Sequence, residues 1–349
     1  MGATQSTSRN YKYFWSLLPG LVTISGNLAG GWWGISNLIF SLGILAFIEW
    51  FFPEDRSQEH EDSSFIPDMI LMLHAFLQVC ALVSFFYSIK TGRFTGWQLF
   101  WASLSTGVHS GSSALIIAHE MIHRKQRIWQ ITGKLLLFSV SNVYFYIDHL
   151  RVHHKWVGTD KDPATAKFGE NLYRFFIRSV FGQIASAWKV EKNRLKAENK
   201  HPVGLENYVL SNTLLLIVFY ILIILTLGKI AAIAFALQSF FANFLLEYTN
   251  YIEHYGLSRN EKERVNERLS WQTDKVISRF ILIDLSRHSD HHYYASKPYH
   301  TLIRYEHSPV LPGGYASAIF LALFPPLWFH VIHKRLKEYK VQVLQTTQE

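Results

Sequence analysis

The sequence predicts an all-α integral membrane protein of about six transmembrane helices, with a polar cap gathered on one side. Three observations lead there. Of the 349 residues, 49% are hydrophobic and 15% aromatic, and these collect in runs long enough to cross a bilayer. The runs carry few or no charges. Basic residues are divided unequally between the segments that join them.

Taken in order, the apolar runs cover residues 13–35, 36–52, 66–89, 95–118, 208–227 and 230–251. The first contains Pro19 and several glycines, and the second reaches Glu49. Two further stretches, 131–147 and 315–331, are short or broken by proline, and read as interfacial or re-entrant pieces. The spans form three hairpins. An acidic loop (Glu54, Asp55, Glu59, Glu61, Asp62) follows the first, and polar stretches at 119–207 and from 254 follow the second and third. No internal repeat or low-complexity tract interrupts this order, so residues 1–349 are expected to form a single domain.

Placing both ends of the chain in the cytoplasm leaves only Lys90, Arg93 and Lys229 outside, with the other 31 of 34 basic residues inside. The expected location is the cell inner (cytoplasmic) membrane, crossed several times, with the cap on the cytoplasmic side. The net charge of +8 becomes a property of that face, suited to anionic lipid or an acidic protein. Nucleic acid is not an expected partner, because no binding module accompanies the charge. Cys80, the single cysteine, excludes internal disulfides and Cys-ligated metal centres within the chain. No cleavable signal peptide is expected. Met1–Ser6 fits a myristoylation pattern formally, but a multi-span protein has no need of that anchor.

Four histidine clusters follow closely on apolar stretches. His119 and His123 stand four residues apart, which on a helix puts both imidazoles on one face, one turn apart. His149 and His153 repeat that spacing, and the adjacent His154 is expected to point toward a second ion. His254, preceded by Glu253, ends the last span. His288, His291 and His292 lie within five positions. Nine nitrogen donors exceed the four that a tetrahedral zinc takes. They suit two metals of coordination number four to six with open positions. The cap is thus expected to carry a His-rich dinuclear metal site. The remaining eight of 17 histidines are scattered, and His74, His109, His201 and His333 read as ordinary interfacial side chains.

The neighbouring carboxylates have separate expected roles. Glu120, Asp148 and Asp290 are placed to accept the free N–H of a ligating imidazole and fix its tautomer. Glu253, next to His254, is the candidate for a closer, catalytic part as a bridge or ligand. An equal alternative has Asp148 and Asp290 pairing with arginines in a solvated network. A zinc protease built on His119-Glu120-x-x-His123 would leave six histidines unused. A divalent-metal transporter would place its ligands near the bilayer midplane rather than at span ends.

Together, His119-Glu120-x-x-His123, His149-x-x-x-His153-His154, Asn250-Tyr251-Ile252-Glu253-His254-Tyr255-Gly256 and Leu285-Ser286-Arg287-His288-Ser289-Asp290-His291-His292 resemble, in order, the signatures of membrane-bound non-haem di-iron alkane 1-monooxygenases. The first, second and fourth are shared with fatty-acid desaturases and hydroxylases. The third is more specific to the alkane and xylene branch. Asp162-Pro163-Ala164-Thr165 and Leu311-Pro312-Gly313-Gly314-Tyr315 extend the likeness to roughly residues 11–335. Asp148 stands where the family often has glutamate, and Ser286 where glutamine is common.

The resemblance implies two iron ions held by the nine histidines and O2-dependent terminal hydroxylation of a medium- to long-chain n-alkane. It implies rubredoxin and rubredoxin reductase as electron source, with membrane lipid around the bundle. An alkylbenzene or fatty-acyl substrate is the alternative on the same site. Because an alkane offers no polar handle, recognition is expected in an apolar tunnel among the second, third, fourth and sixth spans; Ser41 and Gly43 on the second span are small, which lets helices pack closely or leaves room for a longer chain. Lys189, Lys192, Arg194 and Lys196 are expected to meet either the acidic redox partner or lipid headgroups.

Overall fold

A computed structural model of the chain describes residues 10–58 and 63–346. The Met1–Ser6 pattern and Glu59, Glu61 and Asp62 of the acidic loop lie outside the described residues. Helices make up all the regular structure there; the described residues contain no strand, only single bridges such as Glu54 to Lys275.

After a short 3-10 turn, Asn10–Leu17, the chain runs through α1 (Leu18–Ala29) and α2 (Gly31–Glu49). Next come α3 (Phe65–Lys90) and α4, a continuous rod of Trp97–His109, Ser110–Ala114 and Leu115–His123. The cap holds α5 (Arg127–Phe138), α6 (Phe145–Asp148, His149–His153 and His154–Trp156 in succession) and α7 (Leu172–Ala197). A hairpin of α8 (Tyr208–Leu227) and α9 (Lys229–His254) returns through the bundle. The chain closes with α10 (Val276–Ile281), α11 (His288–Tyr293), α12 (Tyr315–Ala322) and α13 (Pro325–Thr346).

Four of these helices are long and apolar enough to cross a membrane: α2, α3, α8 and α9. The two remaining expected spans take a different form. The run at 13–35 is cut at Gly30 and Gly31, whose φ values of 73° and 56° reverse the chain, a conformation glycine adopts without steric penalty. The following helix therefore begins at Gly31 rather than at residue 36. The run at 95–118 is helical within α4, but Ser103, Ser105, Thr106, Ser110 and Ser113 dilute its apolar content, and all five are buried. Small residues let α4 sit at the centre of the bundle against α9: a Cβ on Gly107 would meet the carbonyl of Gln238 at 2.7 Å.

His74 and His109 are not interfacial as the sequence reading had them. Both are buried: His74 lies between Ser16 and Ser113 at 2.7 and 2.6 Å, and His109 packs against α1 at Gly20. By contrast α8 turns Leu215, Val218, Leu222 and Leu225 outward, as a lipid-facing helix does.

The cap is clamped to the bundle by buried charge. Asp284 accepts from Lys12 at 2.9 Å, Tyr13 at 2.6 Å and Arg279 at 2.5 Å. It sits in a left-handed turn with Ile283, at φ 57° and 48°. A β-branched residue adopts that conformation only when its surroundings impose it. The turn delivers Leu285–His288 beneath the ends of α4 and α9.

Candidate metal centre

Each histidine owes its place to a local feature of the chain. His119 and His123 end α4 one turn apart, as their spacing requires. His254 ends α9. His288, His291 and His292 share the six-residue α11, held in place by the Asp284 turn. In α6, residues His149–His153 form a π turn, in which the helix widens and backbone bonds run from i to i+5. This changes the expected pairing. His149 shares a face with His154, not His153, and His153 is the residue that turns to the second group. The insertion of one residue into a helical turn accounts for the exchange.

All nine imidazoles converge. One group contains His119, His123, His149, His154 and His291, and the other His153, His254, His288 and His292. Within each, one nitrogen of every residue lies within 4.8 Å of the rest. The groups adjoin, with the rings of His154 and His292 centred 4.7 Å apart. In the first group the Nε2 atoms of His149 and His123 stand 3.0 Å apart, those of His149 and His154 2.9 Å, and those of His154 and His291 3.2 Å.

The protonation state fits a cation. Burial, reinforced by neighbouring imidazoles, pushes His149, His154, His288, His291 and His292 well below the ordinary histidine value, so they are neutral. The Nε2 atoms of His119, His153, His254 and His292 are buried without a hydrogen-bond partner in the protein. Buried polar atoms are rarely left so. A set of neutral nitrogens aimed at two common points is what divalent metal ions of intermediate softness require.

Two outer contacts fix the tautomers of the second group. His254 Nδ1 donates to the Leu269 carbonyl at 2.9 Å, and His153 Nδ1 to Asp162 at 2.9 Å. Both leave Nε2 free to bind. Burial alone would lower His153, but the Asp162 carboxylate raises it. Asp162 is held in turn by Thr165 Oγ1 at 2.6 Å and the Ala164 amide at 3.0 Å. The sequence reading gave Asp162 no role. Its signal was local: an Asp-Pro-x-Thr turn just downstream of the second cluster, in which the aspartate bonds its own backbone.

The carboxylates expected in that role are engaged elsewhere. Glu120 accepts from Arg124 at 3.1 Å. Asp148 accepts from Ser186. Asp290 accepts from Lys297 at 2.6 Å, the Ile303 amide at 2.8 Å and Tyr305 at 3.0 Å. Each lies beside a histidine in sequence, but the helix turns adjacent side chains onto different faces. Glu253 does reach the centre. Its Oε2 lies 3.2 Å from His288 Nε2, and Tyr315 donates to Oε1 at 2.7 Å.

An apolar cavity leads to the histidines. Its outer part is lined by residues including Ser41, Leu45, Val108, Leu245, Ile281 and Ile319. The inner part reaches His119, His149, His288 and Glu253. Gly111, Ile116, Thr249, Leu282 and Tyr315 line both. Ser41 lines the outer part. Gly43 lines neither part, and α3 contributes no wall; α10 and α12 take its place.

Residues 95–322 match the fatty acid desaturase family. Alkane 1-monooxygenase 1 of Pseudomonas aeruginosa is 32% identical, over 88% of this chain and 84% of its own length. An alkane 1-monooxygenase of Acinetobacter baylyi is 32% identical over 94% and 85%. The hydroxylase component of a Pseudomonas putida xylene/toluene monooxygenase is 25% identical over 91% and 87%.

Proposed function

Since the chain belongs to the alkane 1-monooxygenase family, an oxidoreductase family, we propose that it inserts one oxygen atom of O2 into the terminal C–H bond of a medium- to long-chain n-alkane, releasing the 1-alkanol and water. Two iron ions would be held by His119, His123, His149, His154 and His291 on one side and by His153, His254, His288 and His292 on the other. Rubredoxin, recharged by its reductase, would supply the electrons. The observation that carries this reading is the convergence of nine imidazoles in two adjoining groups beside an apolar cavity whose inner part is lined by His119, His149 and His288.

Iron bound there supplies the site at which O2 is reduced and activated. The remaining tasks fall to the chain itself. Leu115, Ile116, Phe145 and Leu285 exclude water from the inner cavity, which protects a reactive oxidant from side reactions. The walls offer no charge to a hydrocarbon along the outer cavity, so the chain is aligned by shape alone and its end is presented to the centre. Glu253, oriented by Tyr315, is the one carboxylate at that end and is the candidate bridge or ligand. We place α1 and α4 as the two further crossings of a six-span bundle, with the centre on the cytoplasmic side of the inner membrane.

Product analysis decides the substrate. The purified, iron-loaded protein is given a rubredoxin system and a panel of n-alkanes, p-xylene and fatty acids. Terminal alcohols from the alkanes are the expected result, together with two irons per chain by metal analysis. Exclusive oxidation of p-xylene would move the assignment to the alkylbenzene branch, in keeping with the xylene/toluene relative.

A further inference from the structure

Resting on the monooxygenase reading above, we propose that a surface patch centred on Phe168 and His333 is the docking site of a small acidic one-electron carrier, and that electrons pass from it through Tyr255 to His254. Hydroxylation balances as R–H + O2 + 2 e⁻ + 2 H⁺ giving R–OH + H2O. The carrier therefore docks twice per turnover and is oxidised by one electron each time. The chain cannot hold a thiolate-ligated relay of its own, since Cys80 is its single cysteine and lies in α3.

The path is short and continuous. Tyr255 follows His254 in sequence and is completely buried. The Gly169 amide donates to its hydroxyl at 2.8 Å, which directs the phenol proton to His333 Nε2, also at 2.8 Å. The His333 ring is stacked between Phe168, centred 4.3 Å away, and Phe329, centred 5.2 Å away. Phe168 is 63% exposed. One hydrogen bond and one peptide link thus join the surface to a histidine of the second group. Trp271 stiffens the link by donating from its indole to the Tyr255 carbonyl at 3.0 Å and from its amide to the Glu253 carbonyl at 2.7 Å.

The surroundings select an acidic partner. Hollows open on both sides of the 256–259 turn, one bordered by Phe168, Glu261 and the Lys167–Asp160 ion pair, the other by Arg268, Tyr339, Lys340 and Glu263. The adjacent face of α13 exposes Lys334, Arg335, Lys337 and Lys340 against one acid, Glu338. An exposed aromatic within a basic rim suits transient docking that is steered by charge. On α7, Arg194 is already paired with Glu191 and Glu198, and no aromatic relay comparable to Phe168–His333–Tyr255 joins that helix to the histidines.

The test uses the full-length, iron-loaded protein in lipid nanodiscs, with zinc-substituted rubredoxin to read binding and reduced rubredoxin to read anaerobic reduction of the iron centre by stopped flow. Phe168→Ala and Lys340→Glu are expected to weaken binding tenfold or more. His333→Phe keeps the ring stack but removes the acceptor. It should leave iron content unchanged while slowing reduction at saturating rubredoxin at least tenfold, with reduction by a small viologen unaffected. Wild-type rates in His333→Phe and Tyr255→Phe would overturn the relay. Binding lost in Lys189→Glu but kept in Phe168→Ala would overturn the docking site. If the viologen-reduced wild-type protein oxidises no alkane, the underlying functional reading fails instead.

Discussion

His149 and His154 bring their Nε2 atoms to 2.9 Å although they stand five residues apart, a spacing that an ordinary α-helix does not put on one face. The π turn at His149–His153 makes it possible. It allows one short helix to serve both groups: His149 and His154 face the first, and His153 faces the second. Deleting Arg151, an exposed residue of that turn, removes the extra residue and sets His149 and His154 four places apart, a spacing that an ordinary α-helix keeps on one face. The expected outcome is a protein that folds and keeps its full metal complement, read by metal analysis after desalting. Loss of metal would show that the widened turn does more than bring His149 and His154 onto one face.

Asp162 is the outer partner of His153, and its carboxylate is fully buried. Asp162→Asn preserves the shape but offers Nδ1 a neutral acceptor. Loss of such a partner typically lowers metal affinity about 10- to 100-fold. Chelator competition should therefore strip one iron from the variant at about 10-fold lower chelator concentration than from wild type. An unchanged titration would reduce Asp162 to a turn residue.

How far the sequence disclosed all this depends on what each feature rests on. The nine histidines were legible because imidazoles in four clusters at the ends of apolar runs have few other uses. Their division between two sites was not, since a π turn depends on a single extra residue and leaves no periodic trace. Glu120, Asp148 and Asp290 were misassigned by nearness in sequence, whereas Asp162 reaches His153 across a loop. The break at Gly30 and Gly31 was written in the glycine pair, but apolar content alone masked it.

The buried ion cluster beneath α11 gives a pH-dependent prediction. Burial would raise Asp284, but Lys12 and Arg279 hold its carboxyl well below the usual range. A depressed carboxyl contributes stability above its unfolded value, about 3.9, and that contribution is lost as pH falls toward the native value. Asp284→Asn removes the carboxylate that Lys12 and Arg279 share, leaving Arg279 paired with Asp55 alone, and breaking a buried pair costs up to about 3–5 kcal/mol. In detergent, thermal unfolding at neutral pH should show the variant markedly destabilised, and the two curves should converge below about pH 4. A constant gap down to pH 3 would mean that the charge of Asp284 is not what holds the turn.

Ser41 and Gly43 provide a paired test of the hydrocarbon cavity, because they lie two residues apart on α2 but in different surroundings. Ser41 is 7% exposed and lines the outer cavity, with its hydroxyl turned back to Asn37 at 2.8 Å. Gly43 lines neither part, and a Cβ added there would meet nothing closer than Ile39 of its own helix at 3.8 Å. Ser41→Trp inserts a large ring across the outer cavity, which a long chain must occupy and a short one need not. The ratio of long-chain to short-chain alcohol in a mixed-alkane assay should fall at least tenfold, since about 1.4 kcal/mol of lost fit already gives that factor. Gly43→Trp should leave the ratio unchanged, its ring having free space outside the cavity. Iron content must match wild type in both variants, so that the comparison reports on the cavity rather than the centre. An unaltered profile in Ser41→Trp would remove this cavity as the route for substrate, whereas a shifted profile in Gly43→Trp would place the route on the opposite face of α2.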